Sequence, residues 1–508
     1  MNTRLRALAL FFLLPGFVGA AGVDNDNNAL RRGHEALLGP NYSAQVIAEK
    51  LDEDIPGVGP MKSLLRWNSI AINASGLDHT PLRPNENRVF GEQLGPARAS
   101  RAMAIAHIAM FDAVNAIKPW YASYSHLPRA NPYTSAEAAI AQAAHDTLVV
   151  LFPSQRSRLD ERLHNDLRRV RNGNPKTQGI ALGRRSAQAI LAMRANDGSA
   201  HTEMRMDGDY IPGTMPGIWR QDPISRIPLA MGARWEQVHP FVIASAQQFR
   251  VAPPPPMTSA AYTQAFNEVK ALGGDGVHTP TERTAEQTQI GIFWAYDGTP
   301  SLCAPPRLYN QIATQIAAQM QSNLLDTARL LALVNTAMAD AGIASWESKY
   351  HYAVWRPIGG LREADVGSGP SALGDGNPET HGDPNFMPLG APASNLNGPN
   401  FTPPFPAYPS GHATFGGALF QTLRLVYGRD DIAFTFVSDE YNGNTIANDG
   451  RVRPLQPRRF ATLSQAEEEN GQSRIYLGIH WAFDKTAGID QGRRIADYIY
   501  QHAFRPLR

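Results

Sequence analysis

The sequence predicts an all-α protein of two packed helical bundles, with its chemistry in the C-terminal one. Apolar residues recur at helical spacing wherever a period can be read, and no segment alternates strongly enough to support a sheet. A stretch rich in Pro, Gly and Met at 207–256 ends in four consecutive prolines, which forbid helix and form an extended connector between the halves. No repeat of fixed period occurs. The expected division is a signal peptide at 1–20, an N-terminal bundle with connector at 21–256, and a C-terminal bundle at 257–508.

In the first half, residues 100–117 are apolar around most of the circumference, as in a buried helix. Thr134 and Glu137 form a capping box before an Ala-rich helix reaching Phe152, which Pro153 ends. A charged, exposed helix follows at 154–171, and a further one at 177–195. The second half has helical spacing at 260–272, 282–296, 307–321 and, at greater length, from 326 to about 355. Residues 365–409 are dense in Gly, Pro, Asn and Asp, a loop of a length that compact domains keep for function. Helices resume at 411–427 and 479–502.

With 508 residues, 43% hydrophobic and 18% charged, the chain is long and apolar enough for a sizeable core. Lys and Arg number 47 against 46 Asp and Glu, so bulk charge gives no handle for nucleic acid, and any bound anion must be gripped locally. Beyond the first two dozen residues no run of about 18 uncharged apolar residues occurs, so no transmembrane helix is expected in the mature chain. Arg4 and Arg6 precede an apolar run to Gly19, and Val18-Gly19-Ala20 offers small residues for cleavage. This reads as a signal peptide, making the protein periplasmic or secreted. The single cysteine, Cys303, allows no intramolecular disulfide and reads as a small buried hydrophobe. Zinc, P-loop and dinucleotide fingerprints are missing from the sequence.

Three segments carry chemistry. Lys349 and Arg356 stand seven residues apart, a spacing that points both cations the same way on one helix, and Pro357 then ends it. Pro409-Ser410-Gly411-His412 precedes an apolar helix. The free N–H groups and dipole of that helix bind an anion, Ser410 adds a hydroxyl, Gly411 permits close approach and His412 exchanges a proton. Ser-Gly-His also reads as an ordinary N-cap. Arg474 and His480 would diverge on an unbroken helix, so Gly478 is expected to break the chain and start a new helix near His480. There Asp484, or else a backbone carbonyl, steadies the ring through Nδ1 and leaves Nε2 free. His107, His145 and His351 read as structural, and Tyr296, Tyr352 and Trp481 as packing.

Read as Lys-x6-Arg-Pro, Pro-Ser-Gly-His and Ser-Arg-x5-His-x3-Asp, the three segments resemble the signature of vanadium-dependent haloperoxidases and type 2 phosphatidic acid phosphatases. The likeness to the soluble fungal chloroperoxidase branch extends to FWAYDG at 293–298, PPRLYNQI at 305–312 and PPFPAYPSGHATFGGA at 403–418. The resemblance implies that Lys349, Arg356, Ser410, Gly411 and Arg474 hold the oxygens of a vanadate cofactor, with His480 as metal ligand. It also implies that His412 contacts the apical oxygen, that Asp297 orients an arginine, and that Trp346 and Phe405 line a halide pocket. The implied reaction is oxidation of bromide or iodide, and of chloride in a dry enough pocket, by hydrogen peroxide with a small organic acceptor. An exported acid phosphatase using a phosphohistidine at His480, and a phosphate-binding protein, are the alternatives.

Overall fold

The computed structural model describes residues 37–44, 55–83 and 86–507; the expected signal peptide and the start of the mature chain lie outside these residues. The first bundle contains α1 (Pro60–Asp78), α2 (Pro96–Ile117), α3 (Ala136–Leu151), α4 (Arg156–Arg169) and α5 (Asn174–Arg194). After the connector come α6 (Ala260–Leu272), α7 (Ala285–Phe293), α8 (Pro305–Gln319), α9 (Leu324–Tyr352), α10 (Pro357–Arg362), α11 (Gly411–Tyr427), α12 (Leu463–Tyr476) and α13 (Ala482–His502). Loops are tied by short antiparallel pairs: β1 (Ser43–Ala44) with β4 (Leu396–Asn397), β2 (Met204–Arg205) with β3 (Leu229–Ala230), and β5 (Phe434–Phe436) with β6 (Arg458–Phe460). Strands of two or three residues are too short to show alternation, so they left no sequence signal.

The centre of the molecule is α9, buried without interruption from Thr327 to Lys349. It packs on α2 in the first bundle and on α11 and α13 in the second, and one apolar core runs from Leu64 in α1 to Phe504 beyond α13. Asp340 on α9 also captures the connector, accepting the backbone N–H groups of Phe241, Val242 and Ile243 at 2.6, 2.8 and 3.0 Å. The two halves therefore share their core and are pinned to one helix.

Where the helices differ from expectation, the reasons are local. The N-cap of α3 is Ser135, whose hydroxyl accepts the Ala138 N–H at 3.2 Å, while Thr134 turns to Gln178 and Glu137 accepts the N–H of Gly59. Helix α7 is shorter than 282–296 because Thr284 and Gln287 form its capping box and the chain leaves helical geometry after Phe293. Helices α1 and α12 were not anticipated. The buried face of α12 carries Glu467, Asn470 and Arg474 and shows no apolar stripe, whereas α1 buries Leu64, Trp67, Ala71 and Ala74 at helical spacing, interleaved with Arg66, Asn68 and Asp78.

Helices α11 and α13 meet backbone to backbone. A Cβ added to Gly488 would lie 2.7 Å from the Ser410 carbonyl oxygen, and one on Gly492 would lie 2.0 Å from that of Thr414. From the other side, a Cβ on Gly417 would meet the Ile489 carbonyl at 2.5 Å. This contact seats the start of α11 against the start of α13, where the Ser410 N–H donates to the Asp484 carbonyl at 3.0 Å. Backbone cannot yield as a side-chain tip can, so Gly492→Ala is expected to cost about 1–3 kcal/mol or more. Thermal unfolding followed by circular dichroism measures it; an unchanged midpoint would contradict so close an approach.

Candidate oxyanion site

Lys349 lies in the last turn of α9 and is fully buried. Its ammonium donates to the carbonyls of Pro406 and Ala407, each at 3.0 Å, and to that of Pro409. These three acceptors use all three of its protons and anchor the proline-rich strand that leads into α11. Arg356 does not share a helix with Lys349, contrary to the seven-residue argument. Ala353 adopts left-handed geometry (φ 48°) and ends α9, and Arg356 sits as the N-cap of α10. The two cations still converge, because Arg356 folds back to donate from Nε to the Phe405 carbonyl and from Nη1 to the Ile479 carbonyl, both at 2.9 Å.

The break at Gly478 is present (φ 71°), and a Cβ there would strike the Gly273 carbonyl oxygen at 2.4 Å. The following helix starts later than expected, at Ala482, so His480 precedes α13 and does not lie on it. Asp484 nevertheless reaches it across the helix start: Oδ2 accepts from His480 Nδ1 at 2.8 Å and from the Trp481 N–H at 3.0 Å. With Nδ1 protonated, the Nε2 lone pair faces the cage, where Arg356 Nη1 donates to it at 2.9 Å. Burial holds the imidazole well below its ordinary pKa, and the Arg356 and Lys349 charges push the same way.

Ser410 is the N-cap of α11, its Oγ accepting the Ala413 N–H at 3.4 Å, and Gly411 follows with space for a Cβ closed by Trp346 at 3.2 Å. His412 turns Nε2 to the Ala295 carbonyl, which leaves Nδ1 as the nitrogen for chemistry. Burial keeps this ring well below its ordinary pKa too, with Arg474 adding to the effect. The His412 carbonyl is itself held by Tyr309 Oη and Asn470 Nδ2, both at 2.9 Å. Arg474, on α12, donates from Nη2 to Asp297 Oδ1 at 2.6 Å.

Lys349, Arg356 and Arg474 are 0, 2 and 1% exposed, and their donors are not all used. Arg356 Nη2 and Arg474 Nε and Nη1 are buried without any partner, as are the second oxygens of Asp297 and Asp484. Unpaired buried donors are costly, so three together mark a place for an acceptor. Burial lowers the pKa of Lys349 and Arg356, mutual repulsion lowers it further, and Asp484 opposes both. An oxyanion among these nitrogens relieves that repulsion, and His480 Nε2 beside them offers a ligand to its central atom. The residues present thus fit vanadate or its near isostere phosphate.

Trp346 and Phe405 pack together with ring centroids 4.9 Å apart and flank the cage, with Lys349 Nζ 5.6 and 5.2 Å from their ring centroids. Trp346 is fixed by donation to the Met231 carbonyl at 3.0 Å and by Gly232, where a Cβ would lie 2.2 Å from the indole. Above them opens a cavity with about 820 Å³ of empty space, mouth included, reached by His412, His480, Asp297 and Arg474 on one side and by Trp346, Phe405 and Gly411 beside them. Sequence reasoning missed Met231, Gly232, Ala295, Tyr309 and Asn470. Met231 and Gly232 act through a backbone atom or a missing side chain and leave no signature, whereas Ala295 lies inside the FWAYDG segment and Tyr309 inside PPRLYNQI.

Comparison with known proteins finds relatives of this chain. Residues 329–508 match the family model described as the VCPO second helical-bundle domain. The vanadium chloroperoxidase of Curvularia inaequalis is 32% identical over 514 residues, covering 84% of this chain and 80% of its own. Among solved structures, a bacterial vanadium-dependent iodoperoxidase covers 89% of this chain and 100% of its own at 24% identity and a TM-score of 0.68. A holo bacterial vanadium-dependent chloroperoxidase covers 83% and 95% at 15% identity and a TM-score of 0.57. The structural likenesses establish the fold, and the sequence relationship establishes descent: this chain belongs to the vanadium-dependent haloperoxidase family.

Proposed function

We propose that Arg356, Arg474, Lys349, Ser410 and Gly411 hold vanadate, that His480 ligates it, and that the enzyme uses hydrogen peroxide to oxidise halide. The observation that carries this assignment is the set of three buried, unpartnered guanidinium nitrogens on Arg356 and Arg474, with Arg356 also reaching His480 Nε2 through Nη1. When bound, vanadate supplies a Lewis acid that makes peroxide susceptible to two-electron reduction by halide. Arg356 and Arg474 neutralise the anion from two sides, and the N–H groups at the start of α11 add donors along the helix dipole. Asp484 keeps His480 in the tautomer that presents Nε2, and Asp297 keeps Arg474 in place. His412, neutral and with Nε2–H committed to Ala295, accepts a proton at Nδ1 from incoming peroxide. With its three protons on backbone carbonyls, Lys349 would hold the anion chiefly through its charge, and would donate to it directly only by exchanging one of those partners. The N-terminal segment of residues 1–20 supports export to the periplasm or medium.

The decisive assay uses purified protein with and without orthovanadate, tested for peroxide-dependent bromination of a dye and for hydrolysis of an aryl phosphate. Bromination that requires vanadate is expected, and it should vanish in His480→Ala; full activity in that variant would remove His480 from the site. Arg356→Ala and Arg474→Ala should each weaken vanadate binding about 10–100-fold, the value of a lost charge-assisted hydrogen bond. Lys349→Ala should instead lower turnover at saturating vanadate. Equilibrium dialysis beside steady-state rates separates the two, and equal losses of affinity in all three variants would refute the division. Chloride is the hardest of the three halides to oxidise and needs a site in which no added imidazole draws in water. We assign bromide and iodide as substrates, and chloride in mild acid, on the Trp346–Phe405 wall. Phe405→His should then reduce chloride turnover more than bromide turnover, measured as kcat/KM for each, and an equal change would reduce the wall to packing.

A further inference from the structure

On the haloperoxidase reading, the oxidant made at the cage starts in a confined space. The cavity beside His412 and His480 leaves about 60 Å³ open to the centres of water-sized molecules, room for a few waters or one hypohalous acid. An oxidant formed there meets the wall before it meets solvent. Its fate depends on which wall residues offer electrons to halogen, and soft, polarisable sulfur gives them up more readily than a phenol, an indole or an imidazole.

Among the described residues, one sulfur-bearing side chain lines this space. Met231 is half-buried in the cavity wall, and a Cβ on Gly95, another wall residue, would lie 2.6 Å from its Sδ, so the thioether rests against the wall's own backbone. The other soft groups nearby are withdrawn or occupied. Cys303 is 1% exposed, is not part of the wall and shares a hydrogen bond with Ser75 Oγ at 2.9 Å. His79 does line the cavity, but Nδ1 donates to the Ser75 carbonyl at 2.8 Å and Nε2 accepts the Gly95 N–H at 3.0 Å, so neither nitrogen is left to attack. The main chain of Met231 also supports the aromatic ring beside the cage. Its N–H donates to the Pro404 carbonyl at 2.9 Å, and its carbonyl accepts from Trp346 Nε1 at 3.0 Å and from Tyr350 Oη at 2.9 Å.

We propose that Met231 is a sulfoxidation site for the hypohalous acid made at the cage, and that the modification lowers activity when no acceptor consumes that oxidant. The inference rests on the haloperoxidase reading and adds a means of regulation to the same site. The step balances as R–S–CH3 + HOX → R–S(O)–CH3 + H⁺ + X⁻. The sulfur lone pair takes the halogen and hydroxide leaves. Water then attacks sulfur and its oxygen stays as the sulfoxide; its two protons depart, one of them neutralising the hydroxide, and halide leaves with two electrons of the sulfur. The product is bulkier and polar where an apolar chain had packed. Residue 231 must then adjust between Pro404 and the Trp346 indole, and the ring beside the cage moves with it.

The test runs vanadate-loaded enzyme with bromide and peroxide, without an organic acceptor but with free methionine in excess to consume oxidant that escapes. Peptide mass spectrometry should show one added oxygen on Met231, while Met193 and Met215, 50 and 54% exposed, stay unmodified. Reagent hypobromite added to resting enzyme without free methionine should reverse the order and take the two exposed methionines first. Bromide turnover should fall as Met231 sulfoxide accumulates, and that fall should be lost in Met231→Leu, which keeps volume and removes the sulfur. Protection of Met231 by free methionine as complete as that of the surface methionines would overturn the proposal, and so would an equally steep decline in Met231→Leu. The mass measurement on the unaltered enzyme decides the site even if the variant does not fold. Absence of vanadate-dependent triiodide formation by the unaltered enzyme would instead overturn the reading beneath it.

Discussion

Three cations buried within one cage are the constraint around which this protein is organised. Lys349, Arg356 and Arg474 repel one another in a medium that screens poorly, and two carboxylates cannot fully neutralise them. The chain meets this with neutral dipoles. Five backbone carbonyls, from Phe405, Pro406, Ala407, Pro409 and Ile479, point at the cations and share the work with Asp297 and Asp484. Four of the five come from one proline-rich strand, whose restricted backbone can present successive oxygens without adopting a helix. The residual unsatisfied donors are the site's readiness for an anion, held in place before the anion arrives.

Such a cage can be built only if distant elements are brought together to within tenths of an ångström. Lys349 comes from α9, Arg356 from the start of α10, Ser410 and Gly411 from α11, Arg474 from α12, and His480 from the turn before α13. The glycine contact between α11 and α13 fixes two of these positions directly, since a helix pair separated by ordinary side chains would hold Ser410 away from Asp484. Polar burial on α12 follows from the same demand: a helix that must deliver Arg474 inward, and hold the His412 carbonyl through Asn470, cannot have a purely apolar inner face.

This explains what could be read in advance. Helices whose inner faces are apolar, such as α2 and α9, were visible in their periodicity, and the signature residues drew attention through residue type and spacing. Helix α12 was hidden because its inner face is polar, and the stripe of α1 because Arg66, Asn68 and Asp78 interrupt its apolar residues. Lys349 and Arg356 were correctly paired for a wrong reason: a left-handed Ala353 ends the helix that was expected to align them. The partners of the ammonium were out of reach altogether, since a carbonyl oxygen is present at every residue and its direction is set only by the completed fold. The same holds for Gly232, an unremarked glycine until the indole of Trp346 is found against it.

That indole contact has a consequence for how this lineage can change. Met231 and Gly232 belong to the connector, far from the signature in sequence, yet they set the orientation of an aromatic ring beside the cationic cage. Ala295 and Asp297, ahead of α9, hold a histidine and an arginine of the cage. A substitution that enlarges residue 232 would therefore displace the indole beside the cage, and drift in either half is constrained by the other. Inheritance of this chemistry requires the two halves to travel as one unit, so neither can be exchanged between relatives without importing its partner's contacts.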